Sequence, residues 1–463
     1  MKQVFAAAVI TSTIVGASAG VTIPDTPAGH ALSMWIDAIS SNDEAKAQAY
    51  VDRYHPKATA KDYIALHQVF GDLFVLKLEK NEPNDIIAIL GESQMDDALR
   101  AEYRTDPADP TKFLFRQAAG IDRPAEFAIP RMSQAEALQA LDARVAGLVA
   151  KDQYMGAMLV ESHGRIVLQK AIGYGDRDGK IPLKVTDKFR LGSMNKMFTA
   201  VATLQLVAKG QISLDGTVGK YLPDYPNKDI ADHVTIRMLL THTGGTGEIF
   251  GDEFDKHRME LKTLADYVTL YGSRAPEFPP GTQSSYSNYG FILLGVIVGR
   301  VSGEDYYDYV QGHIFVPAGM TDTGSLPESE SVAGRVIGYT QKDAKWVPNT
   351  DTLPWRGTSA GGGYSTLADL LRFAHAMMDG KLLPAALLDA ATRSQTNGDW
   401  YGYGFELHGI GLAHSYGHTG GAPGMSTDMR IYPKARTVVI ELCNIDPGPA
   451  VLSYYANRMP LKP

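Results

Sequence analysis

The chain holds a single cysteine in 463 residues, so no intrachain disulfide can form and the fold must be stabilised by its core. That cysteine, Cys443, lies in the apolar strand-like run VVIELC and reads as a buried structural thiol. Dense runs of lysine and arginine are missing as well. With 44 Lys+Arg against 52 Asp+Glu the formal net charge is -8, and no nucleic-acid partner is expected. No His-Glu-x-x-His occurs, which removes the zinc-peptidase helix from consideration, and no metal or other cofactor is expected. No apolar run reaches the about 20 residues that a membrane-spanning helix needs.

What is present begins with MKQVFAAAVITSTIVGASAG, which has Lys2, an apolar stretch from Val4 to Val15 broken by Thr11, Ser12 and Thr13, and the small residues Ala17-Ser18-Ala19. This is the pattern of a secretory signal peptide over residues 1–19, cleaved after Ala19, and it places the mature protein in the periplasm or outside the cell with no stable membrane span. No cysteine near the cleavage site allows a lipoprotein. The remaining length favours two domains.

Residues 25–130 read as a small α+β domain. Helical periodicity from Ala31 to Tyr54 is interrupted at Ser40-Ser41-Asn42-Asp43, where Ser41 or Asn42 can cap a second helix. A further helix covers 61–70, and FVLKLEKN, DIIAILGES and KFLFRQAA alternate as strands. The arrangement loosely resembles a cystatin-like or nuclear transport factor 2-like cone, and His55 and His67 read as structural.

From Ser133 the pattern changes. Ser133 followed by Glu136 is a capping box opening an amphipathic helix, and AMLVESHG and RIVLQKAIGY form a hairpin that turns at His163-Gly164. Asp176-Arg177-Asp178-Gly179 lacks the remaining ligands of a calcium loop and reads as a surface turn. In RLGSMNKMFT, Ser193 and Lys196 stand three apart at the start of an apolar helical run, which stacks both side chains on one face. A serine hydroxyl needs a base, and a buried lysine with a depressed pKa can serve as one.

Downstream, Pro280-Gly281-Thr282 precedes Tyr286 and Asn288, whose spacing of two projects both side chains the same way from an extended segment. A phenol there can relay a proton, and an amide offers a donor and an acceptor to a substrate carbonyl or amide. Then His418-Thr419-Gly420-Gly421 enters an alternating strand, and a glycine-rich edge lets a substrate approach exposed N–H groups. His242-Thr243-Gly244 repeats the tripeptide, but it follows the helical run TIRMLL and reads as fixing the turn at Gly244-Gly245. His414 and His418 are four apart in strand context, so a metal pair is not expected.

The order Ser-x-x-Lys, Tyr-x-Asn, His-Thr-Gly resembles the serine β-lactamase and penicillin-binding protein superfamily, in its class C β-lactamase-like branch of esterases and D,D-peptidases. Leu239 to Gly245 (LLTHTGG) and Gly361 to Thr366 (GGGYST) resemble further segments of that branch, and the likeness covers residues 133–457. It implies a two-lobed α/β (α+β) fold, with a central antiparallel sheet and a helical lobe, and a serine hydrolase that works through an acyl-enzyme on Ser193. Lys196 and Tyr286 would move the proton, Asn288, His418, Thr419 and Gly420 would bind substrate, and the N–H groups of Ser193 and Gly421 would form the oxyanion hole. Many β-lactamases and transpeptidases carry lysine where this chain has His418, so the fixed charge for a substrate carboxylate is reduced here. No counterpart of the class A deacylation glutamate is evident. The expected substrates are small esters, amides or peptides, with carboxylesterase activity first. D-alanyl carboxypeptidase or D-aminopeptidase activity comes next, and β-lactamase activity last. The alternative from another class is a penicillin-recognising sensor. Oligomeric state is left open.

Overall fold

A computed structural model describes residues 21–463 apart from 57, 94–97, 343–344, 397–399, 447 and 449–450, so the signal segment expected at 1–19 lies outside the described residues. The chain falls into two compact units, Met1–Ala128 and Ile129–Pro463.

In the first unit, helix α1 (Pro27–Ser40) starts where the Thr26 side chain accepts from the Gly29 N–H, with Pro27 in the first turn. Helix α2 (Glu44–Tyr54) is capped by Asp43, which accepts from Ala45 and Lys46, and not by Ser41 or Asn42 as expected from sequence. Asn42 instead takes a left-handed φ of 48°. Thr59 and Asp62 form a capping box on α3 (Ala60–Phe70). Four strands follow as an antiparallel meander: β1 (Leu73–Glu82), β2 (Asp85–Glu92), β3 (Ala98–Asp106) and β4 (Asp109–Ile121). β3, with the sequence ALRAEYRTD, is a strand the sequence reading did not include. A cluster containing Trp35, Tyr50, Tyr54, Tyr63 and Tyr103 forms this unit's core, and the His55 Nδ1 lies 2.8 Å from the Tyr63 hydroxyl.

The second unit opens on α4 (Gln134–Ala150), with the Ser133–Glu136 capping box in place. Strands β5 (Gly156–Ser162) and β6 (Arg165–Ile172) meet at a two-residue turn in which His163 and Gly164 have φ of 53° and 76°. Two left-handed residues give the turn whose twist matches the flanking strands. Helices α5 (Asn195–Ala208), α6 (Ile236–Leu240) and α7 (Asn288–Ser302) build the helical part. β7 (Glu406–His408), β8 (Ser415–Ala422), β9 (Met425–Tyr432), β10 (Thr437–Cys443) and the helix α8 (Val451–Ala456) complete the parts used below.

The central sheet is antiparallel throughout, in the order β7-β8-β9-β10-β5-β6. β10 therefore pairs with β5, close to the start of this unit, and it is buried along its whole length, as a strand covered on both faces must be. α8 and the helix Leu367–Met378 pack on it. Cys443 ends this strand as a buried free thiol, and burial pushes its pKa up. α5 and α7 are apolar on nearly every face and pack against each other inside one continuous core. Among the described residues no helix is long and apolar enough to cross a membrane.

Candidate active site

Gly192 has a φ of 54°, and the 3-10 turn Gly192–Met194 places Ser193 just ahead of α5. Three bonds hold this turn. Leu191 N–H donates to Gly363 O at 2.7 Å, Gly362 N–H donates to Gly192 O at 3.1 Å, and the Thr427 hydroxyl on β9 donates to Leu191 O at 2.9 Å. The turn then lies so close to the edge of β8 that a Cβ on Gly420 would fall 2.0 Å from Leu191 O. A Cβ on Gly192 would fall 2.9 Å from Gly421 N, so both glycines are required by backbone approach.

One turn on from Ser193, at the second residue of α5, the fully buried Lys196 amine makes three contacts: Asn288 Oδ1 at 2.6 Å, Ala360 O at 2.7 Å and Ser193 Oγ at 3.1 Å. Burial lowers its pKa to about 7, against the opposing pull of Glu248 and Glu406. Two of the three partners can only accept. A neutral amine therefore gives both its hydrogens to Asn288 and Ala360, and its lone pair is left aimed at the Ser193 hydroxyl.

The second motif sits at the start of α7. Ser287 is the N-cap, its hydroxyl accepting from Gly290 N–H at 2.9 Å, so Asn288 is the first helical residue and Tyr286 lies just outside. The Asn288 amide is fixed from both ends, because its Nδ2 donates to Glu248 Oε2 at 2.7 Å. Tyr286 remains 37 % exposed, its ring centroid is 4.6 Å from Lys196 Nζ, and Ser193 lies near enough to act on its phenol. Burial of the phenol pushes its pKa up, so it stays protonated at neutral pH.

His242 reaches further than the turn expected of it. It has a φ of 58°, its ring packs 4.3 Å from that of Tyr286, and its Nδ1 accepts the Ser287 N–H at 3.1 Å. Its carbonyl also accepts from Ser285 N–H at 2.9 Å. The loop that carries Tyr286 and Asn288 therefore hangs on this residue. Burial drives its pKa well down, which leaves it neutral with the proton on Nε2.

On β8 the period of two turns His418 and Gly420 inward, and Thr419 and Gly421 outward, where both are exposed. His418 was expected to meet substrate. It is 1 % exposed, and both ring nitrogens are occupied internally: Nδ1 lies 2.6 Å from Thr419 O, and Nε2 lies 2.9 Å from the Tyr401 hydroxyl. Burial pushes its pKa down despite Glu406 nearby, so the imidazole is neutral.

Glu406 is the residue sequence reasoning missed most clearly. Its Oε2 accepts the Thr419 N–H at 3.0 Å and its Oε1 accepts the Thr419 hydroxyl at 2.7 Å. Burial raises its pKa, but His418, His408 and the two Thr419 bonds outweigh that and hold it below the usual carboxylate range. Glu248, Tyr401 and the Ala360 carbonyl were missed too. Residues 357–361 match the Gly-x-Ser-x-Gly spacing of a nucleophile elbow, yet Ser359 is fully buried and the segment instead presents Ala360 O to Lys196. No three His, Cys, Asp or Glu side chains among the described residues are grouped to hold a metal.

Comparison with known proteins shows the family and the fold of the second unit. The Beta-lactamase family profile matches residues 141–458. Penicillin-binding protein 4 of Amycolatopsis lactamdurans is 31% identical over 309 residues, 62% of this chain and 79% of its own length. Esterase EstB of Burkholderia gladioli is 30% identical over 340 residues, 65% and 83% of the two chains. The crystal structure of a penicillin binding protein from Bacillus halodurans superposes with a TM-score of 0.61 at 30% identity, covering 67% of this chain and 98% of that one.

Proposed function

The chain belongs to the Beta-lactamase family and is a serine hydrolase of that type, and from this premise we propose that it cleaves small esters through an acyl-enzyme on Ser193. The observation that carries the proposal is the Lys196 amine, buried, with a pKa lowered by that burial and directed at Ser193 Oγ. In the proposed reaction Lys196 takes the hydroxyl proton as Oγ forms its bond to the substrate carbonyl carbon. The N–H groups of Ser193 and Gly421 receive the oxyanion, an effect worth about 3 to 4 kcal/mol for each donor. The tetrahedral adduct then collapses, the C–O bond to the leaving group breaks, and the alkoxide takes the Tyr286 phenol proton, which Lys196 replaces. Water repeats the sequence in reverse on the acyl-enzyme, releasing the acid and restoring Ser193. Asn288 holds the acyl side and keeps Lys196 in place.

Esters rank ahead of β-lactams and D-alanyl carboxypeptidase substrates because the third motif offers a neutral, internally bonded His418 beside an ionised Glu406. The esterase among the relatives supports the same order. The assembled Ser193, Lys196 and Tyr286 weigh against a sensor role. Action outside the cytoplasm rests on the leader read over residues 1–19, and a cystatin-like or nuclear transport factor 2-like assignment of 25–130 rests on its helices and meander.

A serine-directed fluorophosphonate tests the mechanism: it labels the wild type and leaves Ser193→Ala unlabelled. Equal labelling of both proteins would overturn it. A panel of short aryl esters, a chromogenic cephalosporin and D-alanyl peptides tests the substrate class. Dominant turnover of the cephalosporin reverses the ranking.

A further inference from the structure

We propose that Glu406 sets the charge of the substrates this site accepts, favouring neutral and amine-bearing acyl compounds and turning away those with a carboxylate close to the scissile bond. The inference deepens the esterase reading and rests on it.

The argument begins with hydrogens. A threonine hydroxyl has one proton and two lone pairs. The Thr419 hydroxyl gives its proton to Glu406 Oε1 at 2.7 Å, and its N–H goes to Oε2 at 3.0 Å. Thr419 is exposed and belongs to the edge of β8 next to Gly421, yet in this arrangement its side chain can offer only lone pairs outward. It can accept from an ammonium and cannot donate to a carboxylate.

The inward neighbour does not supply the missing donor. His418 is buried, its Nδ1 lies against Thr419 O and its Nε2 against the Tyr401 hydroxyl. Lys196 is fully buried behind Ser193, with Asn288, Ala360 and Ser193 already around its amine. Glu248, tied to Asn288 Nδ2 and to the Ile249 N–H at 2.6 Å, adds a second carboxylate beside Asn288. The charged groups acting on the Tyr286 phenol are these same two residues, Glu406 and Glu248. A substrate anion would therefore approach a carboxylate through an acceptor, since the Gly421 N–H on this edge is committed to the oxyanion. Glu406 is itself 15 % exposed in its side chain, so its effect reaches substrate through Thr419 and through its field.

The test is a set of three aryl esters of equal length that end in a methyl, an ammonium or a carboxylate group. In the wild type kcat/KM for the ammonium ester exceeds that for the carboxylate ester by at least about tenfold, with the neutral ester between. Glu406→Gln shrinks that ratio by about tenfold, chiefly through KM, because the amide can donate to Thr419 and free its hydroxyl proton for the cleft. A second measurement needs no variant: raising salt from about 0.05 M to about 0.5 M compresses the wild-type ratio. A wild-type ratio near one, a ratio that ignores salt, or a folded Glu406→Gln with unchanged discrimination overturns the proposal. Fluorophosphonate labelling separates the two levels. A wild type that does not label sinks the hydrolase reading itself, whereas one that labels but ignores substrate charge sinks only the role of Glu406.

Discussion

The tripeptide His-Thr-Gly occurs twice, and the two copies differ in backbone and in the partners of their histidines. His242 ends a short helix with a left-handed φ and supports a loop, while His418 sits on an extended strand and braces an edge. Both imidazoles are about 1 % exposed and both are held neutral by burial. The first presents Nδ1 as an acceptor to the Ser287 N–H, and the second has its nitrogens against Thr419 O and Tyr401. A short motif therefore acquires its role from the backbone beneath it. In both places histidine works as a neutral linker between backbone and aromatic groups.

The comparison is broken or sharpened most strongly at the glycines. Gly420→Ala would push a methyl to 2.0 Å from Leu191 O and 2.4 Å from Thr427 Oγ1, and fixed backbone cannot move aside. Activity and fluorophosphonate labelling are expected to fall by about a thousandfold, by analogy with the loss of an oxyanion donor. Gly244→Ala meets a Val234 methyl at 2.9 Å and should cost about 1 to 3 kcal/mol in denaturant unfolding, with turnover retained. Equal damage at both sites would erase the distinction.

Next in size, His242→Ala leaves the Ser287 N–H without its acceptor and opens space beneath Tyr286. The expected result is about 2 to 4 kcal/mol less stability and a kcat lowered by about a hundredfold with KM little changed. His242→Asn, whose amide oxygen can accept that N–H, should recover part of kcat. A loss confined to KM would remove His242 from the support of the proton relay.

The pH profile separates the lysine from both histidines. The neutral amine is the active form and its population grows as pH rises through about 7, so kcat/KM climbs with unit slope below that value and levels above it. Glu406 raises the Lys196 pKa, so Glu406→Gln should move this limb to lower pH. A shift to higher pH would contradict the assignment. The smallest effect belongs to the threonines. Thr419→Val should raise KM several-fold, whereas Thr243→Val removes only a 2.9 Å contact with Thr241 and should leave steady-state rates unchanged.

How much of this was legible in the sequence follows from how far apart the partners lie. Ser193 and Lys196 are readable because a helix brings residues three apart together. Tyr286 and Asn288 are readable as a local pair, and the hairpin at His163-Gly164 announces itself through its turn residues. The antiparallel sheet and helical lobe of the second unit follow once those motifs are seen in order. Glu406 is different: it is thirteen residues from Thr419 and meets it only when β7 pairs with β8. Glu248 lies forty residues from Asn288, and no local period connects them. β3 was passed over because Arg100, Glu102 and Arg104 occupy its outward positions, and the buried alternate set of Ala101, Tyr103 and Thr105 is short. The second helix cap went to Asp43 because Ser41 still belongs to the end of α1, donating its hydroxyl to Asp37 O at 2.7 Å.

Asn288 makes the proposed catalyst depend on one amide being an amide. Its amide must accept from a cation precursor at one end and donate to a carboxylate at the other. An aspartate at this position would keep the shape of the side chain and put an oxygen where the donating nitrogen stands. The two acids would then meet with no donor between them and the new one would hold Lys196 as an ammonium, so a folded protein would stay silent whatever substrate it is offered.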